Sequence, residues 1–373
     1  MGAKLVMKVL FTINSDVDNE WQRWRNNEEL DFPTHILWGA THLSRYGIYV
    51  DILPYEKYVG LKKLGYSLKL GDLDQQVRVL QQHSQYDLVY SSGQTGSILL
   101  SVLRGLGLFK TPIAVKLERP FRDNLWNRIL IGILVRGHDK VFCLSKRLYN
   151  QLKDDFNISE SKLELLEWGA DLEAYEIERQ DSGESPTEKV NGSFVMSAGN
   201  TQRDFNTLVT AFEGIDYSLR IYCSGNVAPS VNIPPNVCVQ YKHPTEGRTL
   251  TFKEILLEYQ KAFLVAIPLV IPVGMEDYTN SFGLTSLLEA MAMGKAVVMT
   301  RNKQIDIDIE KERIGLWVAP GNVQEWQQAV TYLLEHPEET QAMGERSLHL
   351  CKQKYNLENY SAKLATFLKD AQK

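Results

Sequence analysis

The sequence predicts an α/β protein made of two doubly wound, Rossmann-like parallel-sheet domains that face each other across a cleft. Short apolar runs alternate with amphipathic helical patterns along the whole chain. This alternation is typical of parallel strands joined by right-handed helical crossovers. The chain has 373 residues, which exceeds the usual size of a single hydrophobic core, so two domains are expected.

Six strand-like segments are separated by helical patterns in the first half of the chain. They read VMKVLFTI, YVDILP, DLVYSS, PIAVKL, DKVFCLS and KLELLE. One of the intervening helices is predicted over residues 34–47, THILWGATHLSRYG. Ligands of doubly wound sheets bind beyond the carboxyl ends of the strands, so site residues are expected in the loops that follow these segments.

A polar stretch near the middle of the chain separates the two predicted domains. Residues 173–192, EAYEIERQDSGESPTEKVNG, lack hydrophobic periodicity, which indicates a linker. The N-terminal domain is then predicted over 1–172 and the C-terminal domain over 193–354, where the strand pattern restarts. Residues 355–373 form an amphipathic helical pattern that fits against either domain, including a return to the N-terminal one.

Composition and charge argue against several classes of protein. The net charge is −5, with 22 Lys and Arg against 20 Asp and Glu up to residue 171, and 19 against 26 after it. That balance lacks the basic excess of a nucleic-acid-binding protein. The four cysteines are scattered without a CxxC pair, which favours reduced thiols over a zinc site or a disulfide framework. No apolar run reaches 18 residues, so we expect a cytoplasmic protein without a membrane span.

The segment SFGLTSLLEAMAMGKAVVMT, residues 281–300, allows two interpretations. In the structural one, Ser286 is the N-cap of a helix and Glu289 completes a capping box. In the functional one, the amide groups at the helix start face an anion, and Glu289, one turn further on, accepts hydrogen bonds from a ribose diol. The residues that would surround the anion are Ser281, Phe282, Gly283, Leu284 and Thr285. Gly283 would let the backbone approach a diphosphate closely.

The same segment resembles the signature of the retaining GT-B glycosyltransferases of glycosyltransferase family four. In that family an E-x7-E motif precedes A-M-A-x-G-x-P-V, and Glu289 matches the second acid, which holds the nucleotide ribose. Ser281 stands where the family has the first Glu, which touches the donor sugar, so sugar identity does not carry over. The resemblance covers residues 139–373 well and the first half only as architecture. It implies a GT-B fold and a UDP-, GDP- or ADP-sugar donor.

A second region of this resemblance lies at the start of the C-terminal domain. SFVMSAGNTQRDFNTLVTAF is similar to the family's first C-domain strand and loop, where Gly199 and Arg203 match a glycine and a basic residue on the diphosphate. Arg203 would stabilise the departing nucleotide. The alternative for Arg203 is a surface ion pair with Asp204. The loops after the next two strands usually contact the base, which makes Tyr241 and Lys242 candidates, although a loop Tyr often only packs.

The N-terminal half departs from the family, since the loop after its first strand has no glycine. Ser92, Gly93, Gln94 and Thr95 follow the strand DLVYSS and could approach the donor phosphates or the acceptor. The alternative is an ordinary turn between a strand and a helix. Glu118 follows another strand and could orient an acceptor hydroxyl. Its alternative is an ion pair in the loop with a neighbouring arginine, Arg119 or Arg122.

Residues 119–140, RPFRDNLWNRILIGILVRGHDK, combine four arginines and Lys140 with Trp126 and an apolar run. This pattern fits a helix that lies on an anionic membrane surface as a peripheral contact. A buried helix flanked by solvated cations explains the pattern equally well.

Asp306 and Asp308 have the D-x-D spacing of some metal sites, but no His or further acids lie nearby in the sequence. A solvated turn is the favoured interpretation, so neither an essential metal nor another cofactor is expected.

The function predicted from these observations is transfer of a sugar from a nucleoside diphosphate sugar to an unidentified acceptor, with retention and without a metal. Arg203 and Glu118 are the predicted catalytic residues. The alternatives are a nucleotide-binding scaffold protein without transferase activity and a GT-B epimerase. A nicotinamide-dependent dehydrogenase is disfavoured because no GxGxxG follows the first strand.

Overall fold

A computed structural model describes residues 6–181, 193–242 and 250–372, except the side chains of 177–181 and 242. The chain divides into two compact units. The N-terminal unit contains the residues up to Leu30, Thr34–Trp168 and the residues from Leu357 onward. The C-terminal unit contains Asp31–Pro33 and Gly169–Asn356.

The N-terminal unit is a six-stranded parallel sheet with the order β2-β1-β3-β4-β5-β6. Its strands are β1 (Met7–Thr12), β2 (Ile48–Ile52), β3 (Leu88–Ser91), β4 (Ile113–Leu117), β5 (Lys140–Cys143) and β6 (Leu163–Leu165). Its helices are α1 (Asp18–Arg25), α2 (Val59–Ser67), α3 (Leu73–Gln82), α4 (Ile98–Gly105), α5 (Leu125–Gly137) and α6 (Lys146–Asn150), which continues as a π-helical turn over Gln151–Asp155. The order of strands reverses direction at β1, as in other doubly wound sheets.

The two faces of this sheet bury different side chains because successive strand residues point to opposite sides. On one face, Val89, Ile113 and Val115 pack in apolar clusters beneath the crossover helices. On the other face, aromatic rings of Tyr90 and Phe142 lie together, with ring centroids 5.8 Å apart.

The last helix, α13 (Leu357–Gln372), belongs to the N-terminal unit, in which Phe367 stacks near Phe142 at 5.8 Å between ring centroids. The Glu358 carboxylate at its start accepts hydrogen bonds from Arg45 at 2.6 Å and from the Tyr46 hydroxyl at 2.5 Å. These contacts fix the helix to a segment that is distant in sequence.

The helix predicted over 34–47 is wrong. The segment consists of two short 3₁₀ turns, Thr34–Leu37 and Leu43–Tyr46, separated by residues 38–42, of which Trp38 and Gly39 are the first two. Both of these residues have positive φ, 52° and 81°. An L-residue in the left-handed region ends a right-handed helix, and the apolar spacing of the segment could not reveal this.

The C-terminal unit is a second six-stranded parallel sheet, with the order β12-β11-β10-β7-β8-β9. Its strands are β7 (Phe194–Ala198), β8 (Leu219–Ser224), β9 (Val237–Lys242), β10 (Ala262–Ile267), β11 (Val297–Thr300) and β12 (Gly315–Val318). Its helices are α7 (Leu172–Asp181), α8 (Phe205–Ala211), α9 (Phe252–Lys261), α10 (Leu284–Ala292), α11 (Val323–Glu335) and α12 (Pro337–Gln353). The predicted pair of Rossmann-like parallel sheets is therefore confirmed.

The segment predicted as a linker is helical where the structure describes it. Helix α7 covers Leu172–Asp181, and residues 182–192 lie outside the described residues. Tyr175 explains this helix, because it is fully buried and its ring meets that of Phe252 edge-on at 5.5 Å between centroids. Tertiary packing of one aromatic side chain thus overrides the weak local pattern. None of the described helices is long and apolar enough to cross a membrane.

Candidate functional site

The candidate site of the C-terminal unit begins at the amino end of α10. Gly283 precedes the helix with a φ of 85°, and the Leu284 amide donates to the Ser281 carbonyl at 3.1 Å. A Cβ on Gly283 would lie 2.5 Å from the Met299 Cε, so both the backbone angle and the packing require glycine. No side chain caps the helix, so the amide groups of its first turn point out of the helix start without a side-chain acceptor at the N-cap.

Ser286 does not cap this helix, so the capping-box interpretation is wrong. It is the third residue of α10, and its hydroxyl accepts a hydrogen bond from the Arg203 Nη2 at 2.8 Å. It also donates to the Ala198 carbonyl at 3.4 Å. Ser286 therefore connects the start of α10 with the carboxyl end of β7, where Ala198 is the last residue.

Arg203 is held by three acceptors at this point. Besides Ser286, it donates to the carbonyl oxygens of Ala198 at 3.3 Å and Thr201 at 2.9 Å. Its guanidinium lies against Gly199, where a Cβ would come within 2.3 Å of the Arg203 Nε. Gly199 has a φ of 147°. The pair Gly199 and Arg203, predicted from the sequence, is therefore one packed unit at the end of β7.

The alternative for Arg203, an ion pair with Asp204, does not describe its surroundings. The Asp204 carboxylate instead caps α8, accepting from the Thr207 amide at 3.2 Å and the Thr207 hydroxyl at 2.7 Å. Burial lowers the pKa of Arg203, whereas the nearby Tyr259 and Glu289 raise it. A guanidinium remains cationic despite such burial, so Arg203 brings a fixed positive charge to the site.

Glu289 lies on the next turn of the same helix and keeps part of its surface exposed. Its carboxylate accepts a hydrogen bond from the Tyr259 hydroxyl at 3.0 Å. Burial raises the pKa of Glu289 to about 7, and the Tyr259 hydrogen bond and the charge of Arg203 act in the opposite direction. Near neutral pH this carboxyl can therefore be either ionised or protonated, and an added hydrogen-bond donor would favour the ionised form.

The loop that precedes α10 is tied down from the neighbouring strand. The Asn302 side-chain amide donates to the carbonyls of Asn280 and Phe282, each at 3.0 Å. The Thr300 hydroxyl accepts from the Leu269 amide at 3.0 Å. Ser281, Phe282 and Thr285 are half-buried along this loop and helix start. The predicted anion-facing residues thus stand on a backbone that is held at both ends.

Tyr241 and Lys242 lie at the carboxyl end of β9, which is the edge strand of the sheet. Tyr241 pairs with Cys223 of β8, and its side chain is exposed. Tyr241 and Arg203 therefore both lie at the carboxyl ends of the strands. Tyr241 is away from the contacts that join Arg203 to α10. The loop after Lys242 lies outside the described residues.

Comparison with known proteins agrees with this arrangement. Residues 253–349 match the profile of the family described as "Glycosyl transferases group 1", and this segment contains α9, α10 and Glu289. This segment of the chain is therefore similar to that family. No curated protein matches the chain significantly in sequence.

Solved structures of several glycosyltransferases share the fold of this chain. A sucrose-phosphate synthase from Thermosynechococcus elongatus superposes with a TM-score of 0.66 at 12% identity, covering 97% of this chain and 98% of the other. Anabaena HepE in complex with UDP-glucose gives 0.65 at 15% identity, with 97% and 99% covered. A glycosyltransferase from Rickettsia africae gives 0.65 at 13% identity, with 98% and 99% covered. At these identities the likeness shows the GT-B fold.

In the N-terminal unit, the loop from Ser92 to Thr95 follows β3 and leads into a single 3₁₀ turn. Its Thr95 carbonyl accepts from the Asp72 amide at 2.8 Å, and a Cβ on Gly71 would meet that carbonyl oxygen at 2.1 Å. The Ser92 hydroxyl is buried without a hydrogen-bond partner among the described atoms. The loop is thus packed against the start of α3 rather than extended into solvent.

A small polar pocket opens beside this loop at the carboxyl ends of β1 and β3. It is lined by Thr12, Asn14, Tyr55, Tyr66, Asp72, Gln75, Ser91, Gly93, Thr95 and Gly96. Burial raises the pKa of the Asp72 carboxyl, which caps α3 by accepting from the Gln75 amide at 3.1 Å. The pocket adds to the predicted loop several residues that gave no signal in the sequence, because they come together only through the topology of the sheet.

Glu118 follows β4 and pairs with a lysine that the sequence analysis did not single out. Lys116 is fully buried, and its Nζ donates to the Glu118 carboxylate at 2.6 Å. The same ammonium lies 2.9 Å from the centroid of the Trp38 ring. Burial lowers the pKa of Lys116 to about 8, while Glu118 acts to raise it. Glu118 therefore pairs with a buried residue of β4, and not with a loop arginine as in the alternative interpretation.

Asp306 and Asp308 lie in a turn between β11 and β12. The Asp308 carboxylate accepts from the Lys311 amide and from the Trp317 indole, both at 3.3 Å. Over the described ranges, no group of three or more His, Cys, Asp or Glu side chains is placed to hold a metal ion. The D-x-D spacing here serves local turn structure.

Tyr259 is the residue of this site that sequence reasoning missed. It lies on α9, 30 residues before Glu289, and it is almost fully buried. A tyrosine on an amphipathic helix ordinarily signals core packing, so no local pattern marked it. Only the packing of both α9 and α10 against β10 brings its hydroxyl to Glu289.

Proposed function

We propose that the protein transfers a sugar from a nucleoside diphosphate sugar to an acceptor, with retention of configuration at the anomeric carbon. The observation that carries this proposal is the convergence of Arg203, the uncapped start of α10 and Glu289. Together they offer one cation, a row of amide donors and, one turn further on, a carboxylate. These are the complements of a diphosphate and of a ribose diol.

Arg203 and the α10 amides would act on the leaving group. Cleavage of the bond between the anomeric carbon and the diphosphate leaves negative charge on a phosphate oxygen. A guanidinium already fixed by Ala198, Thr201 and Ser286 stabilises that charge without having to reorganise. We therefore propose that the reaction needs neither an essential metal nor another cofactor, and no protein nucleophile.

Glu289 would bind the nucleoside rather than take part in bond cleavage. Two ribose hydroxyls that donate to its carboxylate would favour the ionised form over the neutral one. The Tyr259 hydroxyl, 3.0 Å away, orients the carboxylate before the nucleotide arrives. Gly283 supports the same site by permitting the backbone angle from which the helix starts.

Uridine is the first base to test. Anabaena HepE has been solved with UDP and with UDP-glucose, and two trehalose-phosphate synthases with this fold are described as UDP-forming. Guanosine and adenosine diphosphates are the other donors that the resemblance allows. The acceptor side is proposed to include Glu118 and the loop from Ser92 to Thr95.

The test is calorimetric titration of the full chain with UDP, GDP and ADP in the presence of EDTA. We expect one of the three to bind, and to bind at least about tenfold more weakly to Glu289→Ala, since one hydrogen bond to a charged group contributes about 1.5–3 kcal/mol. Failure of all three to bind the wild-type protein would reject the proposal. Mass spectrometry and proton NMR of the product made from the matching sugar donor would then establish transfer and anomeric configuration.

A further inference from the structure

Helix α5 of the N-terminal unit exposes an apolar face that no described part of the chain covers. Trp126 is 80% exposed and Leu125 is 73% exposed, and Ile129 and Ile133 are exposed on the following turns. The interpretation of this segment as a buried helix is therefore wrong for half of its surface. Soluble proteins seldom leave a cluster of large apolar side chains in water without a function.

The geometry of the helix gathers these side chains on one side. At about 100° per residue, Leu125, Ile129, Ile133 and Trp126 fall within roughly 100° of arc. Ile131 and Leu134 occupy the opposite side and are buried. The helix thus has two apolar faces, of which one packs on the sheet and the other faces outward.

The packing of α5 explains why its first half stays uncovered. At its end, Gly137 approaches the neighbouring helix α4 so closely that a Cβ would lie 2.1 Å from the Ser101 carbonyl oxygen. Its beginning follows β4, so the first turn emerges at the edge of the sheet where the strands end. Leu125 and Trp126 lie in that first turn, at the end of the helix opposite Gly137.

Basic residues outnumber acidic ones around this face, with four arginines in residues 119–137 against the single acid Asp123. Helix α5 contains Arg128 and Arg136 and no acidic residue. Asp123 precedes the helix and is engaged by both the Nε and Nη2 of Arg128 at 2.7 Å. Helix starts usually carry acids that complement the helix dipole, and this one carries none. An apolar strip with arginines beside it complements a surface that is apolar inside and anionic outside.

We infer that the outward face of α5, formed by Leu125, Trp126, Ile129 and Ile133, docks on a bilayer that contains anionic phospholipids. The apolar side chains enter the boundary between headgroups and acyl chains, the indole sits at that boundary, and the arginines meet the phosphates. A bilayer fits better than a protein partner because of area. Stable protein complexes bury about 800 Å² per partner, and one indole of about 150–250 Å² with three partly covered aliphatic side chains offers less.

The test is vesicle flotation with the full chain. Vesicles of phosphatidylcholine mixed with phosphatidylglycerol are compared with vesicles of phosphatidylcholine alone. We expect binding to the mixed vesicles, at least about tenfold weaker binding to the neutral ones, and loss of the difference in high salt, which screens charges. The double variant Leu125→Ala, Trp126→Ala is expected to bind the mixed vesicles at least about tenfold more weakly.

A matched control is available at the end of α4. Leu106 and Leu108 are 67% and 72% exposed, so Leu106→Ala, Leu108→Ala removes a similar exposed apolar area from a different place. This control is expected to bind within about twofold of the wild type. Trp126→Phe, which keeps an aromatic ring, should retain most of the binding and remove the blue shift of tryptophan fluorescence that vesicles produce.

Three results would overturn the inference. The wild type could fail to float with anionic vesicles, or the α5 double variant could float as well as the wild type. Light scattering could also show that the wild type is a dimer and the double variant a monomer. A second copy of the chain would then be the occupant of this face. None of these results depends on nucleotide binding, so the inference and the proposed sugar transfer stand or fall separately.

Discussion

The Nη2 of Arg203 donates a hydrogen bond to the Ser286 hydroxyl at 2.8 Å, joining the loop after β7 to the first turn of α10. This bond sets the guanidinium beside the amides of a helix start. It makes the cation part of the backbone site instead of a mobile surface group, because two carbonyl oxygens hold the rest of the guanidinium. The predictions for the site follow from this fixed geometry.

Substitution of Arg203 should weaken the binding of a nucleoside diphosphate, and loss of the charge together with the planar group should weaken it more than loss of the planar group alone. Arg203→Gln removes the charge and should reduce affinity about 10- to 100-fold, because hydrogen bonds to charged groups contribute about 1.5–3 kcal/mol. Arg203→Lys keeps the charge but loses the planar guanidinium, so its affinity should lie between those of the wild type and of Arg203→Gln. Isothermal titration calorimetry measures both.

The control for Arg203 is Arg220→Gln. Arg220 lies near the start of β8, at the opposite edge of the same sheet, and pairs with Glu258 at 2.8 Å. This variant should lose some stability and bind nucleotide as the wild type does. Equal losses of affinity in both variants would show that the effect is general destabilisation.

Glu289 should make stability depend on pH in an unusual direction. Its pKa is raised to about 7 from the ordinary value of 4.5. Between these values the unfolded chain is ionised and the folded one protonated, so the unfolding free energy falls as pH rises from about 4.5 to about 7. Glu289→Gln, which mimics the protonated form, should lack this decline. Urea denaturation at several pH values, compared between the two proteins, tests it.

The same carboxyl should also control ligand affinity. Affinity for the nucleoside diphosphate sugar should increase as pH rises towards and past 7, since the ionised carboxylate is the stronger acceptor. In Glu289→Gln the affinity should be lower and independent of pH over this range. A wild-type affinity that does not change between about pH 6 and about pH 8 would show that Glu289 does not touch the ribose.

Gly283→Ala should destabilise the C-terminal unit by about 2–4 kcal/mol, because it adds a left-handed L-residue and a clash with Met299, whose Cε would lie 2.5 Å from the new Cβ. Gly321→Ala is the matched control, since Gly321 has a φ of 69° and open space around it. This variant should lower the free energy of unfolding only by the cost of a left-handed L-residue, about 1–2 kcal/mol. Thermal denaturation of both variants separates the two contributions, and equal costs would contradict the packing argument.

The pair of the buried Lys116 and the partly exposed Glu118 should respond asymmetrically to substitution. Glu118→Gln leaves a buried ammonium without its counter-charge and should destabilise the N-terminal unit by about 1–3 kcal/mol. Lys116→Met removes the charge that is costly to bury and should be close to neutral. Urea denaturation at pH 7 measures both variants. Glu164→Gln, which breaks the pair with Lys140, should cost about 1 kcal/mol or less, because Lys140 is partly exposed and Lys116 is not.

The lowered pKa of Lys116 adds a pH dependence to this pair. Between about 8, its pKa in the folded protein, and 10.5, its ordinary value, the unfolded chain binds the proton and the folded one does not. Stability contributed by this group therefore rises with pH over that window. The Lys116→Met variant should lack the rise, and a wild-type profile that matches the variant would contradict the predicted burial of the charge.

The sequence by itself determined the alternation of strands and helices, since burial of a parallel sheet on both faces requires short apolar runs between amphipathic segments. It also determined the glycine before α10 and the acid one turn later, because these depend on backbone angle and helical spacing over a few residues. Gly199 and Arg203 are close in sequence, so their association was also visible.

Tertiary structure alone decided which side chains complete these local features. Ser286 fits a capping box by spacing but bonds to Arg203, which is 83 positions away. Tyr259 showed no signal because its partner Glu289 lies on another helix. Lys116 showed none because its burial and its contact with Trp38 depend on a segment that is distant in sequence. The outward face of α5 has the composition of a buried helix, and only the folded structure shows that its large apolar side chains are exposed. Local spacing fixes backbone conformation, whereas the partners of a side chain depend on contacts between distant segments, which no short stretch of sequence contains.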